Sequence, residues 1–171
     1  MDKKHRSVPK EVIPDLYAMV GMVIANWTFV ENSLDAWAAI AYHDHGGNKV
    51  EPELPRQFSR KVKFLRKCFN RLSSLAPFKE EALSLISKSE GLSEVRHYVA
   101  HGVLSDFDQS DESFRFIKID MTSDKKQHII GELHITAVKL LQAGTDLVEM
   151  AAEGQRITGN LLDAGEINAE D

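Results

Sequence analysis

The chain has 171 residues, 43% of them hydrophobic, which suffices for one well-buried core and argues against a second domain. Its formal net charge of -5 repels polyanions, so any nucleic-acid partner must be held by a local basic patch. The single cysteine, Cys68, excludes an internal disulfide framework and a multi-thiolate zinc site.

From Ile13 to about His45, the apolar residues Ile13, Leu16, Val20, Val23, Trp27, Val30, Leu34, Trp37 and Ala41 recur alternately three and four apart, which predicts a long bundle-type helix. Pro14 sits in its first turn and Gly46-Gly47 supplies its stop. A polar connection through Pro52-Glu53-Leu54-Pro55 leads to a second predicted helix, about Gln57 to Ser74, with Phe58, Val62, Leu65, Phe69 and Leu72 on one face. Ala76-Pro77 marks a break and restart. The third helix is predicted from about Phe78 to His101, with Leu85, Leu92, Val95 and Val99 inward and Gly102 just past its end.

Between Val103 and Glu132 the pattern becomes short alternating runs, Ser113–Asp120 and Gln127–Ile130, which predict a small β-hairpin. The last helix, about Ile135 to Glu153, carries an apolar stripe through Leu140, Leu147 and Ala151. The predicted fold is thus mainly α: an antiparallel four-helix bundle with a small β-hairpin inserted before the last helix, a single domain over 1–162 and a disordered tail over 163–171. The polar start Met1–Arg6 does not read as a secretory signal. No stretch reads as long and apolar enough to span a bilayer, so no membrane partner and a cytoplasmic location are expected.

The end of helix three concentrates titratable groups in Arg96-His97-Tyr98-Val99-Ala100-His101-Gly102. With Leu92 at the centre of the buried face, Arg96 lies about 40° away at the core edge, while His97 and His101 point roughly 140° and 180° outward. Glu90 and Glu94 share that outward stripe. One reading is a solvated face with Glu94 paired to His97 and His101 favoured by the helix dipole. Another is a metal arm, since Glu94-x-x-His97 matches half of a di-iron bundle motif. The second arm is missing, so no metal and no cofactor are expected.

Arg96, four intervening residues and His101, with a polar residue directly after the Arg and Gly after the His, resemble the signature of HEPN domains. In that superfamily the motif lies near a helix end of an all-α bundle, and the residue after the Arg is typically Asn, Asp or His, as His97 is here. The resemblance covers seven residues, together with the helical architecture. It implies a metal-independent endoribonuclease of toxin–antitoxin, anti-phage or RNA-processing type. The alternative it leaves is a non-catalytic interaction or nucleotide-sensing module.

Under that resemblance His101 acts as general acid/base and Arg96 holds the phosphate. His97 assists proton transfer or substrate contact, and Tyr98 stacks or hydrogen-bonds, unless either belongs to packing. On one straight helix Arg96 and His101 diverge by about 140°, so a homodimer is expected to bring two motifs to one cleft, as the family does. RNA would be the substrate, and an antitoxin or other regulatory protein a possible partner.

Between Arg56 and Arg71 the chain carries seven basic residues and no acid. Arg56, Arg60, Lys63, Lys67 and Arg71 fall within about 80° of one another with Phe64 beside them, a strip suited to phosphate contact and base stacking. The alternative is a solvated face paired with Asp106, Asp108, Asp111 and Glu112. Glu31, about 40° from Trp27, needs a cationic partner near the buried edge of helix one, and Arg96 is the expected one. His43-Asp44-His45 reads as the cap of helix one rather than a metal site.

Overall fold

A computed structural model describes residues 8–121 and 127–169, with side chains through 165. The 3.6-residue spacing emerges as four helices: α1 (Ile13–His43), α2 (Phe58–Arg71), α3 (Lys79–His101) and α4 (Ala137–Ala169). Short 3₁₀ segments, Gly47–Lys49 and Ser73–Phe78, precede α2 and α3. The protein is mainly helical, with a small antiparallel sheet. Contacts divide it into two compact units, Met1–Asn26 with Leu92–Leu147 and Trp27–Gly91 with Val148–Asp171. Helices α1, α3 and α4 each run through both.

The first unit contains the sheet. In place of the predicted hairpin there are three strands, β1 (Val103–Asp108), β2 (Ser113–Met121) and β3 (His128–Thr136), in the order β1-β2-β3. The added strand β1 carries an irregularity between Leu104 and Asp106, which breaks the two-residue alternation by which a strand is recognised. β3 also absorbs Ile135 and Thr136, where a helix start is predicted. One face of β2 buries Phe114 and Phe116 with Phe107 and Ile135, and the Phe107 and Phe114 rings lie 5.0 Å apart. The β1–β2 turn is tied by Asp108 Oδ1, which accepts from Ser110 N at 2.9 Å and Ser110 Oγ at 2.7 Å. A Cβ on Gly144 would run into the Met22 side chain, so glycine there is what lets α4 approach α1 closely.

The second unit packs α1, α2, α3 and α4 around two tryptophans. Trp37 is wholly buried, donates Nε1–H to Thr158 Oγ1 at 2.9 Å and meets Phe69 edge-on at 6.1 Å. Trp27 lies 5.2 Å from Phe58. The α2 apolar face is filled by Val62, Leu65, Cys68 and Phe69, joined by Lys61, whose buried ammonium pairs with Asp35. Burial, assisted by the Glu51 charge and opposed by Lys67, pushes the Cys68 thiol up to about 11. At neutral pH it is a protonated thiol, and thiolate is the reactive species. A disulfide reagent such as DTNB is therefore expected to label Cys68 only as fast as the native protein unfolds. Labelling as fast as in denaturant would show the thiol to be accessible.

Two extents differ from the sequence reading. α4 runs past Glu153, the end of its recognisable apolar stripe, to Ala169; residues 170 and 171 of the expected tail lie outside the described residues. α1 is, by length and composition, apolar enough to cross a membrane, contrary to the expectation that no stretch is. The core helix of a soluble protein meets the same measure.

Candidate functional site

The last turn of α3 is held against the sheet by two glycines. Gly102 N donates to Tyr98 O at 2.8 Å, and a Cβ at Gly102 would stand 3.2 Å from the Ile117 carbonyl oxygen of β2. On β3, Gly131 leaves the space that the Tyr98 hydroxyl occupies, where any Cβ would collide with it. Tyr98 is thereby a packing residue that fixes α3 to β3. Val99 is buried and His101 exposed, in the phase the helical spacing predicts.

His97 departs from that phase. It is half-buried rather than outward, because β2 covers it: Nε2 of His97 contacts Lys118 Nζ, and Lys118 pairs with Asp120 Oδ1 at 2.8 Å. The expected Glu94 salt bridge is thus replaced by contact with the sheet. The His97 and His101 rings are 5.2 Å apart between centroids, at 66°. An ammonium can only donate, so Nε2 accepts from Lys118 and the ring proton of His97 sits on Nδ1. Lys118 and Asp120 were not singled out from the sequence. The available signal was strand alternation, which sets Phe114, Phe116, Lys118 and Asp120 on one face of β2.

Burial first, then the positive charges of Lys118, His101 and Arg96, lower the pKa of His97, and Asp120 opposes them. The neutral ring is favoured in the folded protein, whereas a His in the unfolded chain takes up its proton near pH 6.5. As pH falls below that value the unfolded state binds more protons than the native state, so His97 makes native stability decline on acidification. In an NMR titration the His97 ring is expected to protonate below the usual range, and Lys118→Gln to move its midpoint upward. A His97 midpoint at or above that of an unperturbed His would contradict this arrangement.

Arg96, which heads the motif, is half-buried in the same unit. Glu31 belongs to the second unit, where it is half-buried and accepts from Trp27 Nε1 at 3.0 Å. The basic strip also lies wholly in the second unit, and is partly neutralised there. Lys67 pairs with Glu51, and Arg66, on α2 but off the strip, bonds Glu90 at 2.6 Å and Ser87 Oγ at 2.9 Å. Phe64, expected to flank the strip for stacking, is buried instead and presents no free ring face. Arg60 and Lys63 remain exposed. His43 and Asp44 are exposed as befits a helix end, but His45 is buried and neither ring nitrogen has a hydrogen-bond partner. Among the described residues, no three His, Cys, Asp or Glu side chains gather as a metal ion would require.

Comparison with known proteins finds no matching family model, no matching curated protein and no matching solved structure.

Proposed function

We propose that this chain is a metal-independent endoribonuclease of HEPN type, acting in the cytoplasm as a homodimer whose cleft is formed by two α3 ends of a helical bundle. The observation that carries the reading is the imidazole pair His97–His101, 5.2 Å apart between ring centroids and backed by Lys118, with Arg96 directly before His97 in the chain.

In this reaction the ribose 2′-oxygen attacks phosphorus as the P–O5′ bond breaks. The products are a 2′,3′-cyclic phosphate and a 5′-hydroxyl. His101 takes the 2′-hydroxyl proton, and the departing O5′ takes a proton from water. Arg96 holds the phosphate by charge-assisted hydrogen bonds and meets the charge that develops on it. His97, with its low proton affinity, stays neutral and offers Nδ1–H as a donor. A toxin or defence enzyme of this kind requires restraint, supplied by an antitoxin or other regulatory protein.

Purified protein incubated with RNA in excess chelator tests the reading. Cleavage leaving cyclic phosphate ends, lost in Arg96→Ala and His101→Ala, is expected. Cleavage that survives in both variants, or that needs a divalent metal, would overturn it.

A further inference from the structure

Within the second unit, the outward side of α4 carries a row of residues that the core does not use. Val148, Ala152, Gln155, Gly159 and Leu162 are all exposed. They fall within about 80° of one another, spaced alternately four and three apart, which is the a/d seam against which a second helix packs. Val148 and Leu162 each leave about half of a large apolar side chain in water. The stripe that α4 buries in this unit, through Met150, Ile157 and Leu161, lies elsewhere around the helix. Gly159 repeats the point. A Cβ on Gly154 would run into Ser33, whereas one on Gly159 would meet nothing. Glycine weakens a helix interior, and no neighbour within the chain requires it at 159, where it leaves room for a backbone from outside.

Beside the row, α1 and α4 leave a groove of about 260 Å³ lined by Phe29, Asn32, Ser33, Ala36, Gln155 and Thr158, none of them charged. Phe29 is itself half exposed. Around α4 on the other side of the row stand acids. Glu149 and Asp163 are exposed and form no ion pair among the described residues. From Val148 to Leu162 the sequence has a single cation, Arg156, which Glu81 holds at 2.9 Å, and α1 contains no Lys or Arg. An uncharged groove and row with an acidic border match a partner that has an apolar row and basic flanks. A second copy does not supply those flanks. Pairing two rows antiparallel sets Glu149 of one copy near Asp163 of the other, and pairing them parallel sets each acid beside its twin.

We propose that this face docks an amphipathic α-helix of another protein, about four turns long to match the row. Its apolar residues enter the row and groove, and its Lys and Arg side chains meet Glu149 and Asp163. The surface does not depend on the ribonuclease reading, since every residue in it belongs to the second unit, whereas Arg96 and His101 belong to the first.

Fluorescence anisotropy of the full chain with two labelled three-heptad peptides tests it, each with Leu at a and d, one flanked by Lys and the other by Glu. The Lys-flanked peptide is expected to bind and the Glu-flanked one to stay free. Glu149→Lys with Asp163→Lys should weaken the first by about tenfold or more and let the second bind. Glu11→Lys with Glu53→Lys changes the net charge equally on neither α1 nor α4, and should leave both peptides as with the parent. Gly159→Leu fills the row and should abolish binding while the melting temperature holds or rises, and His101→Ala should bind as the parent does. No binding of the Lys-flanked peptide, equal binding of the two, an equal loss in the control pair, or indifference to Gly159→Leu would each overturn the proposal. So would sedimentation in which Gly159→Leu separates a dimer of the parent chain, which would give the face to a second copy.

Discussion

His101→Ala is expected to reduce RNA cleavage by about 10²–10⁴-fold, the range for removal of a general acid or base, and Arg96→Ala by about 10²–10³-fold, as for loss of a group that meets developing charge. Neither change empties the core, because His101 is exposed and Arg96 half-buried. The loss should therefore appear in the rate and leave the melting temperature close to that of the parent. Dimerisation gives the prediction a further edge. Arg96 and His101 diverge around one helix, so in the proposed homodimer a cleft would draw on both copies. If the proposed homodimer forms, a mixture of the two variants gives hybrids, each retaining one intact Arg96 and one intact His101. Cleavage assayed after subunit exchange should recover above the level of either variant alone, and failure to recover would argue that the two residues act from the same copy.

The second large effect concerns stability. Trp37→Ala removes a side chain that is wholly buried, bonded to Thr158 and packed edge-on against Phe69. The cost is expected to be about 3–5 kcal/mol, the range for truncating a buried aromatic. For a chain of this length that corresponds to a fall in melting temperature on the order of 10 °C. Trp37→Phe keeps most of the volume and loses the hydrogen bond, so it should cost about 1–2 kcal/mol. Chemical denaturation of both variants measures the difference. An Ala variant within about 1 kcal/mol of the parent would mean that the core around α1 relaxes to fill the space.

The helices were legible because their burial is one-sided. Trp27, Val30, Leu34 and Trp37 recur at helical spacing and are the residues that the second unit buries. β1 was not legible, because its irregularity at Leu104 and Asp106 interrupts the alternation and its composition is half polar. That omission propagated to the site. The outward direction assigned to His97 assumed solvent beyond α3, whereas β2 lies there and brings Lys118 to the ring. Helical phase reports where a side chain points and says nothing of what a distant strand places in front of it. The same limit applies to Phe64: helical spacing sets it beside the basic strip, but its burial depends on packing that no local pattern records.

The Trp37–Thr158 hydrogen bond joins residues 121 positions apart, and both units draw on distant stretches of chain. During synthesis α2 can cover part of the apolar row of α1 soon after it emerges, whereas the contact of Trp37 with Thr158 forms only once α4 has been made. The last contacts of that core are therefore long-range ones, which close late and slow the folding of the chain.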